Sequence, residues 1–290
     1  MTAIASPTRL PKVLSESAIK QFRQEGYYFP VRALSAADAL AYRRRLEEHE
    51  ARTGSPLAGS MRHKAHLLFT WLWDLVHDPR ILDPIEDIYG PNLFCWSTNF
   101  FIKEANDPSF VSWHQDATYW GLSTPDVITA WVAFSPATIE AGAMKVAPRT
   151  HRQQLAHRDT FNVLNLLTRG QEIAVDIDQS QAVDMVVAPG EMSLHHVLLC
   201  HGSEPNRSND RRIGFAIRYV PTHVRQISGV RDSATLVRGT DTFNHFVHEV
   251  KPEADLHPAA VTRHAEITGQ QAKILYRGTA TESFDQVVRP

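Results

Sequence analysis

Cysteine is scarce in this sequence. Its 290 residues include only Cys95 and Cys200, and neither belongs to a Cys-x-x-Cys pair. So few thiols exclude a disulfide framework and a thiolate zinc site as the basis of the fold. We therefore interpret both cysteines as buried apolar side chains.

Long apolar runs, dense basic runs and a Gly-rich phosphate loop are also missing. A membrane helix needs about 18 or more consecutive apolar residues, so we expect no membrane partner. The segment from Met1 to Lys12 lacks the apolar core of a secretory signal, which favours a cytoplasmic protein. The formal net charge is -2 and Lys and Arg do not cluster, so we expect no nucleic-acid partner.

Residues 1–90 contain mostly helix signals. Ser15 and Ser35 stand where a helix N-cap is expected, and Gly26 and Gly54 stand where these two helices would end. The other predicted elements of this part are a strand from Tyr27 to Phe29 that ends at Pro30, a helical tract beginning near His63, and a helix from Asp78 to Gly90.

Beyond Gly90 the pattern changes to aromatic and β-branched runs of strand length. Many short strands behind a helical layer predict a mainly β (α+β) fold, a double-sheet sandwich of the jelly-roll or cupin kind with the N-terminal helices packed on one sheet. We expect one domain over 1–290, with helical support in 1–90, a β core in 91–225 with an excursion near 149–175, and a C-terminal extension in 226–290. The predicted strands are Leu93 to Ile102, Val127 to Phe134, Gly142 to Ala147, Asp184 to Ala188, Met192 to Cys200 and Ile213 to Val220.

A histidine and a carboxylate stand two residues apart in an aromatic stretch, Phe110-Val-Ser-Trp-His114-Gln-Asp116. Side chains alternate on an extended segment, so both groups can reach one metal ion. A third ligand from a distant strand would complete a two-His-one-carboxylate iron site with an open face. A second such pair, His157 and Asp159, lies in a polar segment that we interpret as a solvated loop.

The third ligand is expected after residue 188, where a turn starts an apolar strand that ends in a histidine, His201. A polar loop follows, and Arg212 begins the next strand. There its planar guanidinium could hold a dicarboxylate at two points.

These motifs resemble those of the phytanoyl-CoA dioxygenase family of Fe(II)/2-oxoglutarate oxygenases. The likeness extends over most of the chain, through the segments Glu25 to Pro30, Trp113 to Trp120, Ala130 to Phe134 and His201 to Arg212. It implies a double-stranded β-helix core and a reaction in which 2-oxoglutarate and O2 are cosubstrates, a C–H bond is hydroxylated, and succinate and CO2 are released.

The resemblance also assigns roles to residues. His114, Asp116 and His201 would bind Fe(II), Arg212 would receive the distal carboxylate of 2-oxoglutarate, and Ser203 would assist that arginine. Halogenating relatives replace the carboxylate of the first motif by a small residue. This chain retains Asp116, so we favour hydroxylation over halogenation.

Several other side chains are expected near this site. Arg218 shares a face with Arg212 by alternation, whereas Arg211 should point away. Lys103 and Thr129 lie on neighbouring strands and are, with Arg218, further candidates for cosubstrate binding. We interpret His195 and His196 as hydrogen-bonded core residues rather than ligands. The aromatic residues are interpreted as core and rim packing on which a cationic substrate could rest, namely Phe100, Trp113, Tyr119, Trp120 and Trp131.

The substrate class stays open on the sequence alone. Polar metabolites, amino acids, aminophosphonates, acyl-CoA thioesters and natural-product intermediates are all compatible with the resemblance, and we favour a small polar metabolite because no long apolar groove is evident. Two alternatives for the function are a cupin-like metal-dependent enzyme without 2-oxoglutarate and a protein that binds a metal or a ligand without turnover. The tail after Gly239 could form a covering helix or the contact of a homo-oligomer, or be partly disordered.

Overall fold

Four helices and one edge strand form the N-terminal part of the computed structural model, which describes residues 11–176, 178–281 and 283–286. The Ser15 and Ser35 hydroxyls accept hydrogen bonds from the backbone N–H groups of Ala18 and Asp38, so both predicted N-caps are present. The elements are α1 (Glu16–Glu25), β1 (Tyr27–Arg32), α2 (Ala36–Thr53), α3 (Thr70–Val76) and α4 (Pro79–Tyr89). The prediction that no secretory signal is present concerns Met1 to Lys12, and residues 1–10 of this segment lie outside the described residues.

Two details of this part differ from the prediction. The strand does not end at Pro30 but runs to Arg32, because the pairing is irregular between Tyr28 and Val31 and so accommodates a residue without an N–H group. The tract near His63 is not one helix. It consists of two 3-10 turns, Gly59–Arg62 and Ala65–Leu67, that precede α3.

Two facing sheets form the core of the described structure. A seven-stranded sheet has the order β1-β9-β4-β11-β2-β12-β13, and a four-stranded sheet has the order β3-β10-β5-β8. Neighbouring strands are antiparallel except β12 and β13. The ranges are β2 (Leu93–Lys103), β3 (Val111–His114), β4 (Ile128–Ala133), β5 (Met144–Val146), β6 (His157–Asp159), β7 (Gln171–Ile173), β8 (Val183–Met185), β9 (Glu191–His196), β10 (His201–Ser203), β11 (Arg212–Pro221), β12 (Ser233–Arg238) and β13 (Val247–His248). This is the predicted double-sheet, cupin-like fold.

The predicted strand from Met192 to Cys200 is wrong in one respect. The strand β9 ends at His196, residues 197–200 cross between the sheets, and β10 begins at His201 in the other sheet. The crossing residues Val197, Leu199 and Cys200 are buried. A continuous apolar run therefore could not reveal the break.

The strand β11 separates the helical layer from the interior between the sheets. Its residues Phe215, Ile217 and Tyr219 belong to the apolar core shared with α3 and α4. Arg212 and Arg218 alternate with them and face the opposite side, where they line a central cavity. The helices thus support one face of the large sheet, and the other face is free to build a site.

Residues after 225 and the excursion near 149–175 cover the sandwich. The excursion forms the small sheet of β6 and β7. The helix α5 (Pro258–Leu275) and the residues after it pack Leu275, Tyr276 and Phe284 on a second apolar cluster with Trp96 and Trp120. None of the described helices is both long and apolar enough to traverse a lipid bilayer.

A buried charge cluster anchors the C-terminal part. The Lys64 Nζ atom donates to Glu249 Oε1 at 2.6 Å, and Thr235 donates to Glu249 Oε2 at 2.6 Å. Both charged side chains are 0 % exposed. Burial alone would raise the pKa of Glu249, but the Lys64 charge and hydrogen bonds from the cluster hold that pKa to about 2. The pair fixes β13 beside the segment that precedes α3.

Candidate active site

The two sequence motifs meet at the same end of the sandwich. His114 ends β3, Asp116 begins a 3-10 turn, and His201 begins β10. His201 and His114 are direct cross-strand partners in the pairing of β10 with β3. One possible ligand atom from each of the three residues lies within 4.8 Å of the others, and the two imidazole centroids are 4.1 Å apart. All three side chains are buried. The structure therefore brings together the predicted metal ligands.

Backbone carbonyls fix both imidazoles in one orientation. His114 Nδ1 lies 2.9 Å from the Ser112 carbonyl oxygen, and His201 Nδ1 lies 2.8 Å from the Leu199 carbonyl oxygen. Because a carbonyl oxygen only accepts, each Nδ1 carries a proton, and Nε2 is the ring atom that each histidine presents to the site. This arrangement is typical of metal-binding histidines.

Electrostatics favour a neutral His201 and an ionised Asp116. Burial, followed by the neighbouring His114, lowers the pKa of His201 well below its ordinary value. Burial alone would raise the pKa of Asp116, but the contact with His114 and the proximity of His201 and Arg218 hold that pKa well below its usual range. A neutral imidazole at His201 and a carboxylate at Asp116 are the forms in which these side chains bind a divalent metal.

Gln115 separates the first two ligands and points the opposite way. It is 0 % exposed, and its Nε2 atom donates to the carbonyls of Leu198 and Gln153 at 2.6 and 2.9 Å. Its backbone N–H donates to His157 Nε2 at 2.8 Å. The segment containing His157 and Asp159 is therefore not a solvated loop, as the polar sequence suggested. It is the strand β6, packed against the ligand-bearing segment.

Arg212 lies at the inner end of the central cavity. Its side chain is buried, its Nη1 atom donates to the Gly142 carbonyl at 3.1 Å, and its guanidinium stacks over Trp131 at 5.3 Å. The Nε and Nη2 atoms have no hydrogen-bond partner. Burial lowers the pKa of Arg212 to about 10, so the group is still a cation at neutral pH. A buried cation with two free N–H donors is prepared to bind an anion.

The other predicted cosubstrate residues divide into two groups. Thr129, Ser203 and Arg218 line the central cavity, and the Thr129 hydroxyl has no partner. Lys103 departs from the expectation. It pairs with Arg212 across the strands, but its Nζ atom turns away to donate to Ser203 Oγ at 2.7 Å and to the Glu204 carbonyl. It therefore supports Ser203 instead of lining the cavity.

Neighbouring positions follow strand alternation. Arg211 points away from the cavity and forms ion pairs with Glu50 and Glu104. His195 faces the cavity with its ring centroid 4.8 Å from that of His201, and burial lowers its pKa to about 4. His196 does not line the cavity, and its Nδ1 atom accepts a hydrogen bond from the Leu198 N–H group.

Sequence reasoning missed two amide side chains, Asn99 on β2 and Gln271 on α5. Both are buried, and the Asn99 Oδ1 and Gln271 Oε1 atoms lack hydrogen-bond partners. They line a chamber that reaches Asp116 and Arg218. Alternation along β2 places Asn99 on the same face as Phe101, but no local pattern indicates that α5 lies opposite.

The donor set suits a non-haem iron ion and 2-oxoglutarate. Two imidazoles and one carboxylate leave coordination positions open, and imidazole with carboxylate is a ligand set that Fe(II) accepts. The unpartnered donors of Arg212 provide a complementary group for a distal carboxylate.

Comparisons with known proteins agree with this geometry. The apo form of a non-heme monooxygenase named ThoJ is 38% identical, with a TM-score of 0.79, 89% of this chain and 97% of that chain covered. Its nickel complex is 33% identical, with a TM-score of 0.75 and 93% and 100% covered. CytC3 with Fe(II) and alpha-ketoglutarate, 24% identical at a TM-score of 0.61 with 81% and 93% covered, shares the fold.

Curated relatives match over shorter stretches. A probable alpha-ketoglutarate-dependent hypophosphite dioxygenase of Stutzerimonas stutzeri is 28% identical over 53% of this chain and 54% of that protein. The peroxisomal phytanoyl-CoA dioxygenase of Bos taurus is 24% identical over 76% and 72%. The chain spans about half the length of the first of these relatives. The family profile described as "Phytanoyl-CoA dioxygenase (PhyH)" matches residues 8–214, so this chain belongs to the phytanoyl-CoA dioxygenase family.

Proposed function

We propose that the protein is an Fe(II)- and 2-oxoglutarate-dependent oxygenase that hydroxylates a C–H bond of a small molecule. One observation carries the proposal. A buried guanidinium with two unpartnered N–H donors, Arg212, lines the same cavity as a buried His-Asp-His cluster. Neither a hydrolase nor a simple metal-binding protein requires a free buried guanidinium beside the metal ligands.

Each group of the site has a separate task. His114, Asp116 and His201 would hold the iron, and Arg212 with Ser203 and Thr129 would hold the distal carboxylate of 2-oxoglutarate. When bound, iron and 2-oxoglutarate supply the oxidising chemistry that consumes O2, releases succinate and CO2, and delivers oxygen to the substrate. The side chains of the chain itself orient these groups and exclude bulk water from them.

Retention of Asp116 bears on the outcome of the reaction. Its carboxylate lies beside His114, with 3.3 Å between His114 Nε2 and Asp116 Oδ1. In this position it would occupy the coordination site that a halide needs, so hydroxylation is favoured over halogenation.

The decisive experiment separates binding from turnover. The purified protein should bind Fe(II) and 2-oxoglutarate without oxygen, and oxygen should then yield succinate and CO2 in equal amounts. His114→Ala and Asp116→Ala should abolish metal binding and succinate formation while leaving the circular dichroism spectrum unchanged. Gln153→Ala, which alters a side chain outside the cluster, is a matched control. Metal-dependent turnover that needs neither oxygen nor 2-oxoglutarate would refute the proposal.

A further inference from the structure

Adjacent spaces that share lining residues extend from the vicinity of the His-Asp-His cluster to Gly59 and Tyr276, and we call the outer two of them the passage. An inner chamber of about 50 Å³ shares Phe101, Asp116 and Arg218 with the central cavity. An outer vestibule of about 370 Å³ opens beyond it, and four residues line both spaces, namely His63, Asn99, Leu166 and Thr168. Arg212, the residue expected to hold 2-oxoglutarate, lines neither the vestibule nor the inner chamber, so these spaces form an approach to Asp116 that is separate from it.

The inner chamber contains buried polar groups without partners. Asn99 is 8 % exposed and Gln271 is 1 % exposed. The side-chain amide oxygens of both residues have no hydrogen-bond partner. The Gln271 Nε2 atom donates to Ser97 Oγ at 3.2 Å, which fixes the amide in place. Leaving a buried acceptor unpaired costs about 1–3 kcal/mol, so a ligand that donates N–H or O–H bonds is the natural occupant.

Charge in the chamber disfavours a cation. The Arg218 guanidinium lies 5.4 Å from the Trp120 ring centroid and 5.8 Å from that of Phe101, and its Nε atom has no partner. The ring faces of Trp120 and Phe101, where a cationic substrate could bind, are thus already in contact with the Arg218 cation. Among the described residues that line the chamber, Asp116 is the sole acidic group, and it is assigned to the metal. An ammonium group would meet like charge without a counter-ion.

The relative sizes of the two spaces limit the shape of the substrate. The inner chamber holds a slender group, because one water position requires roughly 10–15 Å³ of such volume. The larger vestibule lies between Gly59 and Tyr276 and offers room for the remainder of a molecule. A compact metabolite would fill the first space and leave the second without use.

We propose that this passage is the substrate site, an inference that rests on the proposed function. It takes an elongated, uncharged or anionic compound that inserts a slender arm with an N–H or O–H donor between Asn99 and Gln271, while the bulk of the compound occupies the vestibule. This replaces the compact polar metabolite favoured by the sequence with a longer molecule bound end-on.

Three six-carbon probes test the charge and donor requirements. The protein is loaded with Mn(II) and saturating 2-oxoglutarate, and binding of hexanamide, hexanoate and hexylammonium is measured from the Mn(II)-induced relaxation of their protons. We expect hexanamide and hexanoate to relax through proximity to the metal and hexylammonium to show at least tenfold weaker binding. Equal or tighter binding of hexylammonium overturns the proposal, and so does failure of all three probes to bind.

Two variants test the amide contacts. Gln271→Leu should weaken hexanamide about fivefold, the value of one neutral hydrogen bond, whereas Gln270→Leu, the same change on the exposed face of α5, should have no effect. Asn99→Asp keeps the shape, adds a negative charge and should raise the affinity for hexylammonium. Equal affinities for hexanamide in the two leucine variants would contradict the assignment. Binding of Mn(II) and of 2-oxoglutarate is measured in the same samples. If the wild type binds neither, the proposed function is refuted. If it binds both but prefers hexylammonium to the other probes, only the proposed substrate site is refuted.

Discussion

Arg212→Met is the sharpest perturbation of the cosubstrate pocket. The guanidinium has two free donors, Nε and Nη2, and a hydrogen bond from a charged donor contributes about 1.5–3 kcal/mol. Two such bonds to a distal carboxylate amount to roughly 3–6 kcal/mol, which corresponds to a rise in Kd for 2-oxoglutarate of about 10²- to 10⁴-fold. Neighbouring bonds are not fully additive, so we expect the lower end.

The assay is calorimetric titration of the Mn(II)-loaded protein, which binds 2-oxoglutarate without turnover. A second ligand, 2-oxopentanoate, has the same carbon chain but ends in a methyl group. The wild type should strongly prefer 2-oxoglutarate, and Arg212→Met should bind both ligands alike. This comparison isolates the contact between the arginine and the distal carboxylate.

Arg211→Met is the matched control. Arg211 is the neighbour on the opposite face, paired with Glu50 and Glu104, so its loss should lower the free energy of unfolding by about 1 kcal/mol and leave the Kd within twofold. In Arg212→Met the Gly142 carbonyl loses its donor, but a costly buried charge is also removed, so we expect little net change in stability. An unchanged preference for 2-oxoglutarate in Arg212→Met would show that the guanidinium binds something else.

Further predictions concern stability. Burial lowers the pKa of Lys103 to about 6, so between pH 6 and about 10 the unfolded state binds a proton that the folded state lacks. The free energy of unfolding should therefore rise with pH in this range, by up to about 1.4 kcal/mol per pH unit, and denaturant titrations of Lys103→Met should show a weaker dependence on pH. Gly214→Ala would place a Cβ atom 1.8 Å from the Trp131 ring and should lower stability by about 1–3 kcal/mol, whereas Gly269→Ala, with nothing within 4 Å in α5, should raise it by up to about 1 kcal/mol; thermal melts with the reverse order would contradict this. Glu249→Gln leaves the buried Lys64 charge without its counter-ion and should cost about 3–5 kcal/mol in urea unfolding, and a cost below 1 kcal/mol would refute the importance of that pair.

Local chemistry made part of this structure predictable. The caps of α1 and α2 depend on residues within one helical turn, so Ser15 and Ser35 were recognisable from the sequence. The meeting of His114, Asp116 and His201 was predictable because a His-x-Asp pair on extended backbone and a histidine beside a polar loop restrict the possible partners. These predictions needed only the local geometry of helices and strands.

Features that depend on side-chain reach or on distant contacts were not predictable. Alternation puts Lys103 on the same face as Arg212, but its four-carbon stem carries the Nζ atom to Ser203 instead. His157 and Asp159 are half-buried, and the packing of His157 against Gln115 accompanies the pairing of β6 and β7, which a polar sequence conceals. Asn99 and Gln271 meet only because α5 folds back over β2.

The helix α5 lies outside the part of the chain that the family profile matches. The family profile ends at residue 214, after the three ligands and Arg212, whereas Gln271 and Leu275 of α5 lie beyond it and form one wall of the passage. The inner chamber thus has walls from both parts of the chain, with Asn99 inside the matched range and Gln271 beyond it. Under the proposed assignment, exchange of the final helix would reshape one wall of the substrate site and leave the His-Asp-His cluster and Arg212 in place.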